Sequence, residues 1–284
     1  MPSLILMEGN TAAKRALGAK LGVRSSSEIY AITIRAHFPD LVLDVVNAAD
    51  PDCSLQNGQW LNGKQLSDYD GMVIAGSSLH AYDTDFAVTN QIALVAAAGE
   101  AGLPIFGSCW GLQIAVMAAG GQVAYNLKGR EVGFARKIVV NEQGQTHPMF
   151  RGKTGVFDAP CIHYDEVVRM PEDATLLASN AHSLVQAAVI PVGKSEVWAV
   201  QYHPEFDLDQ LVQLYTLYAD DMIAQGFFAD RAVFETYVTS LAALAKNPSD
   251  TGLSWQLGVD EDITDNRRRR AEIINWIEAC VLAD

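Results

Sequence analysis

The sequence is short of positive charge: 20 Lys and Arg stand against 34 Asp and Glu, a formal net charge of -14 over 284 residues. A surface of that sign repels a phosphate backbone, so no nucleic-acid partner is expected. No apolar run approaches the roughly 20 residues that span a bilayer, so no membrane partner is expected either. Met1-Pro2-Ser3 leads directly into Leu4-Ile5-Leu6. With no basic n-region and no small-residue cleavage site, the start does not read as a signal peptide, and a cytoplasmic location is expected. Cysteine is sparse as well. Cys53, Cys109, Cys161 and Cys280 form no Cys-x-x-Cys pair and no metal-ligand spacing. They are expected as free thiols in a reducing compartment, and no metal or organic cofactor is implied. The chain also lacks a Gly-x-x-x-x-Gly-Lys-Ser/Thr nucleotide loop, internal repeats and low-complexity stretches.

What the chain does have is Leu103-Pro-Ile-Phe-Gly-Ser-Cys-Trp-Gly-Leu-Gln113. Pro104 to Phe106 is of strand length. Gly107-Ser108-Cys109-Trp110-Gly111 follows, and then a helical apolar pattern from Leu112 to Ala119. Strand, sharp turn and helix make a nucleophile elbow, which lifts a reactive side chain above a sheet. The helix N-terminus there favours a thiolate at Cys109. A base is available downstream, in Val197-Trp-Ala-Val-Gln-Tyr-His203-Pro204-Glu205. Trp198 to Tyr202 reads as a buried strand, His203 stands at its end, and Pro204 prevents its continuation. The roles expected are nucleophile for Cys109, general base and acid for His203, and orienting carboxylate for Glu205.

Gly-x-Cys-x-Gly-x-Gln followed by His-Pro-Glu resembles the class I (triad) glutamine amidotransferase family, over roughly residues 1–205. Ala81-Tyr-Asp-Thr-Asp85 is similar to its stand-alone branch related to the glutaminase of GMP synthetase. The resemblance implies an α/β fold with a mainly parallel, flavodoxin-like central sheet flanked by helices, and a small antiparallel patch. It implies an oxyanion hole made by the backbone of Trp110 and of Gly76 or Ser77. The family usually has a proline where this chain has Ser78. It also implies substrate contacts at Gln113, at Glu131-Val-Gly133-Phe134, and near His163 and Asp165. Asp165 either holds the substrate ammonium, or His163 and Asp165 satisfy each other and the backbone.

Around these motifs the periodicities predict strands at 3–7, 41–46, 72–75, 122–125 and 131–141. Short strands are expected at 176–179, 182–184 and 186–189. Residues 8–27 read as a long polar loop, with or without a helical turn, before a helix running to Phe38. Asp85 is the expected cap of a helix over 86–101. Trp60-Leu-Asn-Gly63 and Gln143-Gly-Gln145 read as turns, and His147 as solvated. Residues 206–284 read as a helical extension packed on the domain of residues 1–205, with helices over 208–224, 230–246 and 266–282 around an irregular 253–258. Arg267 to Arg270 read either as an anion site or as partners of Asp260-Glu-Asp262.

Three functions remain open at this point. The first is a stand-alone hydrolase of glutamine or of another γ-glutamyl amide or peptide, working through a γ-glutamyl thioester. The second is a glutaminase subunit serving a separate synthase, with the extension as its docking surface. The third is a silent binding or regulatory protein. A homo-oligomer is possible under each.

Overall fold

The computed structural model describes residues 1–53 and 64–283, so the turn expected at residues 60–63 lies outside the described residues. The strands are β1 (Ser3–Met7), β2 (Val42–Val46), β3 (Gly71–Ile74), β4 (Ile105–Ser108), β5 (Gln122–Tyr125), β6 (Glu131–Val140), β7 (Val156–His163), β8 (Asp165–Arg169), β9 (Thr175–Ser179), β10 (Ala187–Val192) and β11 (Ser195–Val200). The helices before β5 are α1 (Ala12–Lys20), α2 (Ser26–Arg35), α3 (Phe86–Glu100) and α4 (Trp110–Ala118). Then come α5 (Glu142–Thr146), α6 (Leu208–Leu217), α7 (Ala219–Ala224), α8 (Arg231–Lys246), α9 (Thr251–Leu257), α10 (Glu261–Thr264), α11 (Asn266–Arg269) and α12 (Ala271–Trp276).

A nine-stranded sheet runs in the order β2-β1-β3-β4-β11-β10-β9-β6-β7. Its first five strands are mutually parallel. The antiparallel strands β10, β9, β6 and β7 continue the same sheet, and β5 and β8 form a separate antiparallel ribbon. This is the α/β class expected, with the antiparallel part extending the main sheet. The two-residue period of each strand divides the core between the faces. Ile5, Met7, Met72, Ile74 and Ile105 pack beneath α3 and α4. Leu4, Leu6, Val73, Phe106 and Val200 pack on the other face with Tyr30 and Ile34 of α2 and with Ile273, Trp276 and Ile277. Helix α12 is therefore part of the main core: Trp276 is fully buried, and its ring lies 5.9 Å from that of Phe106. A third cluster joins Phe134 of β6 to α6 and α8 through Leu211, Tyr215, Leu241 and Leu244.

Several local expectations change. Residues 8–27 contain the whole of α1, capped by Thr11, and α2 begins with a Ser25–Glu28 capping box. Residues 143–145 lie within α5, because the Asn141 side chain accepts the Gly144 N–H and caps a helical turn. No strand forms at 182–184: Asn180 Oδ1 accepts the N–H groups of both His182 and Ser183 and bends the chain. Residues 251–257 are helical and end on Gly258 in the left-handed conformation. The helices expected at 208–224 and 266–282 are interrupted at Tyr218 and Arg270. His147 is half-buried, with its ring edge on Trp198 at 4.6 Å. Of the arginine run, Arg268 pairs with Glu261 and Asp262, both at 2.8 Å, which is the intramolecular pairing.

Trp276→Ala removes a fully buried indole that lies between the sheet and the C-terminal helices. It should destabilise the protein by about 3–5 kcal/mol. Trp255, 89% exposed, should tolerate alanine within about 0.5 kcal/mol. Denaturant midpoints of the two variants check this, and equal midpoints would refute the placement of α12 in the core.

Candidate active site

Cys109 sits between β4 and α4 with φ 51° and ψ -96°. Left-handed φ at a side-chain-bearing residue costs on the order of 1–3 kcal/mol and persists only where the surroundings enforce it. Here they do. A Cβ on Gly107 would lie 2.7 Å from the backbone carbon of Gly111, and one on Gly111 would lie 3.0 Å from the carbonyl oxygen of Ile74. Both flanking glycines are thus required by close backbone approach. The Cys109 N–H donates to Val200 O at 2.7 Å, which ties the elbow to the end of β11.

His203 follows β11, its N–H bonded to Pro160 O at 2.7 Å. Its Nδ1–H donates to Glu205 Oε1 at 2.6 Å, which leaves Nε2 free to face Cys109 beside it; the Cys109 thiol donates to Ile162 O at 3.7 Å. Phe206 stacks flat on the imidazole at 3.9 Å. The same Glu205 oxygen accepts from Ser108 Oγ at 3.1 Å, and Ser108 accepts from Tyr30 Oη at 2.7 Å. Thr33 of α2 donates to the Glu205 carbonyl. Burial alone pushes His203 down, but the negative charges of Glu205 and of Cys109 outweigh it and raise it to about 10.

The turn after β3 faces this pair. A Cβ on Gly76 would lie 3.1 Å from His203 Cε1, so only glycine brings the backbone this close to the ring. Side chains hold this turn. Asn10 Nδ2 donates to Gly76 O at 3.3 Å, and Asn10 Oδ1 accepts the Ser78 N–H at 3.0 Å. Ser77 Oγ donates to Gly9 O at 2.8 Å. Asn10 is itself held by the buried Glu8, whose other oxygen accepts the Ser27 N–H. Trp110 opens α4, with its indole N–H on Gln91 Oε1 at 2.8 Å.

Cys109, His203, Gly76, Ser77, Gln113, His163 and Asp165 all line one cavity of about 440 Å³. Glu205 stands behind His203. Asp165 and His163 do not pair through their side chains. Asp165 Oδ2 accepts from His80 Nδ1 at 2.7 Å and Oδ1 from Tyr82 Oη at 3.3 Å. His163 lies between Asp165 O and Glu131 Oε2, at 2.9 Å from each. Gln113 Nε2 donates to Asp165 O. Gly133 and Phe134 are not brought to the cavity wall. Tyr215 of α6 covers Gly133, where a Cβ would lie 2.1 Å from its hydroxyl, and Phe134 is buried against the C-terminal helices. Sequence reasoning missed Asn10 and His80. Neither belongs to a motif, and the contacts that place them span 66 and 85 residues. It also missed the outer wall, supplied on one side by Lys14 and Leu17 of α1 with Leu21 just after it, and on the other by Leu214 and Leu217 of α6 with Tyr218 just after it.

The family described as "Glutamine amidotransferase class-I" matches residues 42–215. The chain belongs to the class I glutamine amidotransferases. It is 30% identical over 284 residues to a gamma-glutamyl-L-1-hydroxyisopropylamide hydrolase of Pseudomonas sp, covering 98% of this chain and 93% of that one. It is also 30% identical over 203 residues to gamma-glutamyl peptidase 4 of Arabidopsis thaliana, covering 70% of this chain and 75% of the relative. Among solved structures, a glutamine amidotransferase from Thermotoga maritima superposes with a TM-score of 0.61 at 18% identity, over 93% of this chain and 98% of that one. That last likeness concerns the fold of the amidotransferase alone.

The raised His203 has a defined consequence. Its charged form is favoured by folding, so the stabilisation it contributes is complete below the free-histidine value near 6.5 and is lost as pH rises towards about 10. In an NMR titration His203 should still be imidazolium at pH 8, and Glu205→Gln should bring its titration down. A neutral His203 at pH 8 in the unsubstituted protein would contradict the electrostatics described here.

Proposed function

We propose that this amidotransferase-family protein is a stand-alone γ-glutamyl amide hydrolase. The observation that carries this reading is the Cys109–His203–Glu205 array opening into a single cavity. The near full-length similarity to a γ-glutamyl amide hydrolase supports it. In the proposed reaction the Cys109 thiolate attacks the γ-carboxamide carbon. The oxyanion that forms is met by the backbone N–H groups of Trp110 and of Gly76 or Ser77, each such donor contributing about 3 kcal/mol to transition-state stabilisation. His203 gives its Nε2 proton to the leaving nitrogen, the C–N bond breaks, and a γ-glutamyl thioester remains. Water then attacks the thioester while His203 takes a proton from it. Glutamate leaves and the thiolate returns. Glu205 keeps the imidazole oriented and stabilises its charged form. In the substrate pocket, Asp165 would receive the ammonium of the glutamyl end.

The outer wall supports an amine larger than ammonia. Leu17, Leu21, Leu214, Leu217 and Tyr218 present an apolar surface beyond the triad that ammonia would leave unused. The test is steady-state hydrolysis by the purified protein, comparing glutamine with γ-glutamyl alkylamides, arylamides and dipeptides. At least one amide should be turned over much faster than glutamine. Cys109→Ala should lower kcat by roughly 10⁴-fold or more, and Glu205→Gln by on the order of 10³- to 10⁴-fold. Activity surviving in Cys109→Ala would sink the mechanism. Slow glutamine hydrolysis that rises with a partner fraction would favour the glutaminase-subunit reading instead.

A further inference from the structure

Arg130 has no part in the chemistry above, yet it is the most unusual side chain of the cavity wall. It is 6% exposed. Its guanidinium lies between two aromatic faces, 4.3 Å from the ring of Tyr164 and 4.6 Å from that of Tyr218. Gln225 holds the first ring by donating to Tyr164 Oη at 3.0 Å. The Arg130 Nε and Nη1 are buried and have no hydrogen-bond partner among the described residues. The other cations of the wall differ. Arg15 is bonded to Asp50 at 2.7 Å, Arg24 approaches Asp207 at 3.7 Å, and Lys14 is exposed. Of the carboxylates on the wall, Asp165 is engaged by His80, and Asp221 is exposed and forms no ion pair with Arg130.

A buried donor without an acceptor is destabilising, so this arrangement is stabilised once a ligand supplies the acceptor. The guanidinium also selects the acceptor's shape. It is planar, and its N–H hydrogen bonds form only in that plane, along its edge. That edge is the planar fork that matches a carboxylate bidentately. We propose that Arg130, clamped between Tyr164 and Tyr218, binds a carboxylate of the ligand in the cavity. The anion site follows from Arg130 itself; the identity of its ligand rests on the γ-glutamyl reading. Such a substrate carries a suitable group at one of two places. One is the α-carboxylate of the glutamyl moiety, opposite an ammonium held by Asp165. The other is a carboxylate on an amino-acid leaving group.

Three substrates separate the two sources: γ-glutamyl isopropylamide, its analogue lacking the α-carboxylate (4-aminobutyryl isopropylamide), and γ-glutamylglycine. Arg130→Met keeps an apolar stem between the rings, and Arg130→Lys keeps the charge without the fork. If the α-carboxylate is the ligand, Arg130→Met raises KM for both γ-glutamyl compounds roughly 10- to 100-fold with little change in kcat. The analogue is then turned over equally by both proteins, and Arg130→Lys recovers part of the loss. If the leaving group supplies the carboxylate, only γ-glutamylglycine is affected. An unchanged KM throughout, or an equal loss on the analogue, overturns the proposal.

A second readout does not need turnover. Glutarate should protect Cys109 from iodoacetamide in the unsubstituted protein, and much less in Arg130→Met, with equal alkylation rates when no ligand is added. If no γ-glutamyl amide is hydrolysed but this protection is present and Arg130-dependent, the hydrolase reading fails and the anion site stands. Absent protection, or the same protection in both proteins, removes the anion site whatever the enzyme hydrolyses.

Discussion

A carboxylate buried beside an imidazole organises the centre of this protein. Glu205 is 2% exposed and His203 3%. Removing two such groups from water costs several kcal/mol, which tight geometry and added hydrogen bonds offset; these converge on Glu205 Oε1, while Oε2 is buried without a hydrogen-bond partner among the described residues. The pair draws its support from distant parts of the chain. Ser108 at the end of β4 donates to the carboxylate, and Tyr30 of α2 donates to Ser108. Thr33 of α2 fixes the Glu205 backbone, and Phe206 covers the ring. The sheet brings β4 and β11 side by side as parallel neighbours, so the elbow and the histidine emerge at the same edge. Ligands in open α/β sheets bind at this carboxyl end of the strands for the same reason.

The rest of the cavity is assembled from segments that carry no chemistry of their own. The turn after β3 lacks the family's proline, and its shape is held instead by Asn10, Ser77 and the buried Glu8. A hydrogen-bonded clamp of this kind replaces a covalent restraint with several weaker ones, all meeting at the base of α1 and α2. Helix α1 buries none of its own side chains and faces α6 across the cavity. The pocket therefore has a rigid floor on the sheet and two helical walls with much of their apolar surface open.

The legible parts were those with a local signature. The glycines around Cys109, the histidine after a buried strand and the Asp85 cap each follow from a few adjacent residues, and all lie where expected. Other readings failed for physical reasons. Residues 143–145 have turn composition, yet Asn141 caps them into a helix. Residues 182–184 alternate like a strand, yet Asn180 bends the chain there by accepting two N–H groups. His163 and Asp165 had two readings, and in the structure His163 Nδ1 bonds the Asp165 carbonyl while His80 from the loop after β3 reaches the Asp165 carboxylate, which lines the cavity.

By itself the sequence determined the family, the fold class and the identity of the three residues proposed for catalysis, because each is encoded in short-range pattern: hydrophobic period, flanking glycines, and a strand ending in His-Pro-Glu. Only the tertiary structure decided what the pocket is made of. The contacts of Asn10 with Gly76, of His80 with Asp165, and of Arg130 with Tyr164 and Tyr218 join segments far apart in the chain. Nothing in the local sequence of either partner specifies such a contact. It exists because packing helices on both faces of a twisted sheet brings those segments to the same edge, and burial then leaves each polar group only the partners found there.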